Sequence, residues 1–150
     1  MGFFDEIADT FKVMKDIVGG GIDAYKAGEK LDELIELTVK KYGDALTDDE
    51  RNLHKQFKRA AKTYDDNDDS DKNDALLEKM EDARLAFLDA VAKNSSLPQN
   101  LRDEITAAVA DFKRAENRAL DSFGETAEKY AETDEQRAEI RKTVDEHKRK

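Results

Sequence analysis

The sequence predicts an all-α protein, an antiparallel bundle of about five amphipathic helices with one long C-terminal helix and a charged helical or frayed tail. Three observations carry that expectation. Apolar residues recur at alternating three- and four-residue steps in five separate segments, the mark of a helix seam. One proline and seven glycines leave few interruptions in the chain. No stretch alternates with a period of two for long enough to build a strand.

The first seam is Phe4, Ile7, Phe11, Met14 and Val18. Phe3, Ala8 and Ile17 widen its apolar arc, with Asp5, Asp9, Lys12 and Asp16 on the opposite side. Three glycines at 19–21 remove side-chain restraint and are expected to end or bend this helix, forming a hinge. The second seam is Leu31, Ile35, Thr38 and Tyr42, with Gly43 placed to cap it. Leu53, Phe57, Ala60 and Tyr64 make the third, and Leu46-Thr47-Asp48-Asp49-Glu50 before them reads as a hydrophobic staple and capping box.

The aspartate-rich run 64–74 ends the third helix, and Asn73 or Asp74 is expected to cap the fourth, whose seam is Leu76, Met80, Ala83, Phe87 and Ala90. KNSSLPQN at 93–100 ends that helix and sets Pro98 in the first turn of the fifth. The fifth seam runs through Leu101, Ile105, Ala108, Phe112, Ala115, Ala119, Phe123, Ala127 and Tyr130. A helix over about 98–131 spans roughly 50 Å, twice its neighbours, so an overhanging stripe is expected to meet another helix or another molecule. Past Tyr130 the seam positions become Asp134, Arg137 and Arg141, so burial is expected to stop there. Thr133-Asp134-Glu135-Gln136 is a further capping box. The expected organisation is one domain over 1–131, comprising the 1–18 helix, the 19–21 hinge and the bundle, followed by a charged extension over 132–150.

With 41% charged and 38% hydrophobic residues in 150, the chain can bury one core. A net charge of −10 repels phosphate backbones, so direct nucleic-acid binding is not expected. Such a charge foremost confers solubility, and it leaves open basic protein surfaces, including those of proteins that ordinarily hold DNA, which an acidic decoy imitates. Cysteine is absent, which excludes disulfides, thiolate metal sites and cysteine nucleophiles. No apolar run approaches the ~20 residues of a membrane span. The acidic start MGFFDEIADT lacks the basic region of a secretory signal, and Glu6 stands where an N-myristoylation motif needs Ser or Thr. The expected compartment is the cytoplasm.

Four groups of residues are candidates for chemistry. In an EF-hand register, Asn67, Asp69, Asp71 and Glu78 would be the ligands, but Lys72 replaces the turn glycine and Asp74 the apolar residue. The run therefore reads as a solvated hinge, with no metal and no cofactor expected. Arg51, Lys55, Lys58 and Lys62 align on one face of the third helix with Arg59 beside them, a dock for an acidic partner or else a solvated face. Phe3, Phe4, Ile7, Phe11 and Met14 are expected first to pack into the core, and otherwise to offer an apolar arm for a partner or, less well given the surrounding acids, a membrane surface. Arg84 and Glu116 each fall inside an apolar arc, and one or both are expected to be partly buried ions with partners, pairing with each other being one arrangement.

Catalytic signatures are otherwise missing. His54 and His147 belong to no metal-binding motif, Glu50 and His54 merely share a helix face, and no phosphate loop or nucleophile elbow is present. The expected function is that of a non-enzymatic protein–protein interaction module: a small acidic adaptor, accessory or inhibitor protein, with homo-oligomerisation through the long helix as one form of contact. The alternatives are a peripheral membrane protein anchored by residues 2–18 and an acidic decoy of a nucleic-acid-binding protein.

Overall fold

The computed structural model describes residues 21–150, with side chains from Ala24 onward. The protein is all-α. The described residues form five helices and no strand: α1 (Gly21–Tyr42), α2 (Asp48–Asp66), α3 (Ser70–Ala92), α4 (Gln99–Lys129) and α5 (Asp134–His147), with a short 3₁₀ turn at Gly43–Ala45. The expected helix over 1–18 and most of its glycine hinge lie outside these residues; Gly21 is the first residue of α1. Gly28–Ala110 forms one compact unit, and Asp111–Lys150 belongs to another.

In the 28–110 unit the seam residues Leu31 and Ile35 of α1, Phe57 and Ala60 of α2, Met80 and Phe87 of α3, and Leu101, Ile105 and Ala108 of α4 are buried. Leu34, Leu88, Val91 and Leu97 join them. Helix α2 packs along α3. The buried Thr38 returns its hydroxyl to the Leu34 carbonyl one turn back at 2.7 Å, so its own donor is not stranded in the core.

The helix boundaries follow local chemistry, with two departures from expectation. Thr47 caps α2, its hydroxyl accepting from the Glu50 N–H at 3.1 Å, but the reciprocal half of a capping box is not made. Glu50 is buried, and its carboxylate accepts from Asn94 Nδ2 at 2.6 and 3.1 Å and from the Thr47 hydroxyl at 3.1 Å. Asn94 also donates to the Ala45 carbonyl, so the loop after α3 is fastened to the turn before α2. Helix α3 begins a turn earlier than Asn73 or Asp74 would set it. Asp69 is its cap, accepting from the Asp71 N–H at 3.0 Å, and Asn67 folds over the Asp69 backbone through two further bonds. Most of the following aspartates therefore stand in or near the first turns of α3, where the helix N-terminus favours negative charge.

In the 111–150 unit burial continues beyond Tyr130, contrary to the seam argument. Phe123, Ala131, Ile140 and Val144 form one apolar cluster, with Leu120 and Ala127 packed against it. Ile140 is 1% exposed, whereas Tyr130 is 78% exposed. The chain turns at 130–133, and α5 starts under the expected capping box: Thr133 accepts from Gln136 N at 3.1 Å while Gln136 Oε1 accepts from Thr133 N at 3.3 Å. The turn resets the helical phase, so Ile140 and Val144, not Asp134 and Arg137, face α4. Arg141 closes the edge of this contact with an ion pair to Glu128 at 2.8 Å.

Candidate functional site

An open groove of about 530 Å³ lies between α1 and α2 in the 28–110 unit. Its apolar part is made by Leu37 and Val39, and Leu37 is 42% exposed whereas Leu34 and Ile35 are buried. Glu33, Glu36 and Lys40 stand along the α1 rim, one helical turn apart, and Lys58 stands on the α2 rim.

His54 completes the lining. Its ring lies tilted at 50° against Phe87 of α3, with centroids 5.5 Å apart. Burial pushes the imidazole below its ordinary value near 6.5, and the Lys58 ammonium one turn on pushes the same way. The ring is therefore neutral at physiological pH and presents an apolar face as well as polar nitrogens. Glu50, four residues earlier, is engaged by Asn94 rather than by His54.

The basic face of α2 is divided among its own neighbours. Arg51 pairs with Asp48 at 3.1 Å and donates to the Gly43 carbonyl at 3.2 Å. Lys62 pairs with Asp66 at 3.1 Å. Lys58 turns to the groove, and Lys55 is exposed. Two of the four cations thus pair with aspartates at the two ends of the helix, in contacts open to water.

Arg84 is 7% exposed. It grips Asp32 of α1 with two bonds, Nε to Oδ1 at 3.0 Å and Nη2 to Oδ2 at 3.3 Å, and its guanidinium lies 5.8 Å from the Phe57 ring centroid. Burial raises the Asp32 carboxyl above its ordinary value, and Arg84 opposes that rise without cancelling it. Glu116 has a different partner, Arg149, whose Nε lies 2.5 Å from its Oε2. The two ions that the helical wheels singled out are each held by a residue that the wheels did not indicate.

The remaining predicted contact residues, Phe3, Phe4, Ile7, Phe11 and Met14, lie outside the described residues. The residue that sequence reasoning passed over is Leu37. Its signal was visible: it sits off the Leu31–Ile35–Thr38 seam, flanked by Glu33, Glu36, Lys40 and Lys41.

Among the described residues no group of three or more His, Asp or Glu side chains is arranged to hold a metal ion, and no helix is long and apolar enough to cross a membrane. What the fold and groove define is an all-α helical bundle with an amphipathic interhelical recess. Comparison of the chain with protein-family models, with curated proteins and with solved structures returns no match, so the functional reading rests on geometry.

Proposed function

We propose that this chain is a non-enzymatic protein–protein interaction module, a small acidic adaptor, accessory or inhibitor protein of the cytoplasm that works by presenting helical surface. The observation that carries the reading is Leu37, held exposed in a groove between two helices, with Val39 and a neutral imidazole beside it and charges of both signs around it. That composition suits the apolar stripe of a partner helix, anchored by one or two side chains and aligned by its flanking charges. The cysteine-free composition supports the compartment, since the chain needs no oxidising environment.

The test is a photo-crosslinking residue placed at position 37 in the full-length chain. The expected result is one discrete adduct with a polypeptide that, once purified, binds the unmodified protein and fails to bind a Leu37→Glu variant. Because Leu37 is surface-exposed, that substitution should leave the unfolding free energy within about 0.5 kcal/mol of the parent. A partner that binds the parent and Leu37→Glu equally would remove the groove from consideration.

A further inference from the structure

The 111–150 unit contains a polar arrangement that helix packing does not require. Helix α5 ends at His147, and Lys148 takes an extended backbone with φ −68° and ψ 140°. The next residue, Arg149, is clasped by a side chain of α4. Its N–H donates to Asn117 Oδ1 at 2.8 Å, and its carbonyl accepts from Asn117 Nδ2 at 2.8 Å. One carboxamide thus satisfies both main-chain groups of one residue, as a neighbouring strand would. This pairing reads the extended backbone whatever side chain it carries.

The side chains on either side are read by charge. Arg149 Nε meets Glu116 Oε2 at 2.5 Å, and the two side chains are only 19% and 13% exposed. The described ion pairs within a single helix, such as Asp48–Arg51 and Asp134–Arg137, are far more open to water. Lys148 Nζ meets Asp121 Oδ1 at 2.6 Å, and this bond, with Asp145 helping, raises the lysine pKa. Lys148 sits one turn further along α4 than Arg149, so the tail runs against the direction of the helix. The order Lys-Arg thus sets the lysine opposite Asp121 and the arginine opposite Glu116.

We infer that Glu116, Asn117 and Asp121 form a recognition site for an extended Lys-Arg dipeptide, which the chain's own Lys148–Arg149 fills, and that a Lys-Arg segment of a partner protein binds α4 by displacing it. The acidic net charge of the chain attracts such a segment. The tail competes at the high effective concentration of a tethered ligand, on the order of millimolar, so the site is self-occupied until a better ligand arrives. This site shares no residue with the groove between α1 and α2, so either reading stands or falls without the other.

The probe is the capped hexapeptide Asp-Glu-His-Lys-Arg-Lys, titrated into the full chain and into a Lys148→Ala/Arg149→Ala variant, with the Asn117 carboxamide resonances as readout. The tail-opened variant should bind the probe about tenfold more tightly than the parent does, with the carboxamide signals moving to their parental positions. Adding Glu116→Gln and Asp121→Asn to the opened variant should weaken the probe about tenfold, and exchanging the probe's Lys and Arg should weaken it several-fold. Circular dichroism of each variant, expected to match the parent, separates lost binding from lost folding; Arg149→Ala alone provides a milder opening. Equal binding of the two peptide orders, or no shift of the Asn117 carboxamide in either opened variant up to about 10 mM probe, overturns the inference.

Discussion

Gly124 and Val144 offer the sharpest test of how α5 sits on α4. A Cβ added at Gly124 would lie 2.8 Å from Val144 Cγ2, well inside ordinary contact. Val144 cannot move aside, because a β-branched side chain in a helix has one strongly preferred rotamer and this one is buried in the apolar cluster. At an exposed helix interior Gly→Ala gains about 1 kcal/mol from propensity. Here the overpacking penalty of about 1–3 kcal/mol opposes it, so Gly124→Ala is expected to be neutral to destabilising by up to about 2 kcal/mol. Val144→Ala removes two buried methyl groups and should cost about 2 kcal/mol. In that background the new Cβ enters vacated space, and Gly124→Ala should stabilise by about 1 kcal/mol. The sign reversal corresponds to a coupling of about 2 kcal/mol, outside the ~0.5 kcal/mol expected of independent sites. Amide hydrogen exchange over residues 134–147, combined with urea unfolding, measures all four corners of the cycle. If Gly124→Ala stabilised both backgrounds by the same ~1 kcal/mol, the helices would not approach as described.

Three further outcomes are expected. Asn94→Ala strips two donors' worth of hydrogen bonding from the buried Glu50 and the Ala45 carbonyl, and should lower stability by about 1–3 kcal/mol, seen as a lower urea midpoint at unchanged slope. Asp32 titrates above its ordinary value of 3.8 in the folded state, so the native chain holds an extra proton just above that pH, and its contribution to stability is greatest below 3.8 and declines as pH rises through the window. Since Arg84 opposes the rise, Arg84→Met should move the Asp32 midpoint higher still in a carboxyl carbon NMR titration; a lower or unchanged midpoint contradicts the pairing. His54 titrates below 6.5 in the folded state, so the unfolded chain binds the proton first and stability falls as pH drops from 6.5 towards the folded value. Lys58→Met should shift the imidazole midpoint up towards 6.5, read from the ring proton resonances, and narrow that window; no upward shift would place Lys58 away from the ring.

Much of the fold was legible because helices advertise themselves locally. The three-and-four spacing of Leu31, Ile35 and Thr38, of Phe57 and Ala60, and of Leu101, Ile105 and Ala108 is enforced by the 3.6-residue turn, and these residues are buried. The Thr47 and Thr133 hydroxyls each accept from a backbone N–H three residues on, so their sequence context was sufficient. The cap of α3 was misplaced because the run offers many equivalent aspartates and asparagines, and the choice of Asp69 depends on how Asn67 folds over it. The candidate site was less legible. Leu37 was visible only as an apolar residue off the seam, and a groove needs two helices to exist.

The sequence by itself determined that the described chain is helical, where its helices break except at the start of α3, and that it carries a large acidic excess without cysteine chemistry. These are properties of periodicity, turn chemistry and composition, each set by residues within a few positions of one another. Only the tertiary structure decided which ions meet. Arg84 found Asp32 52 residues away and Glu116 found Arg149 33 residues away, because the partner of a buried charge is whatever carboxylate or cation the neighbouring helix brings within about 3 Å. It also decided that burial resumes at Ile140 and Val144. A turn at 130–133 reverses the chain and resets its helical phase, and a seam extrapolated along a straight helix carries no information about such a reset.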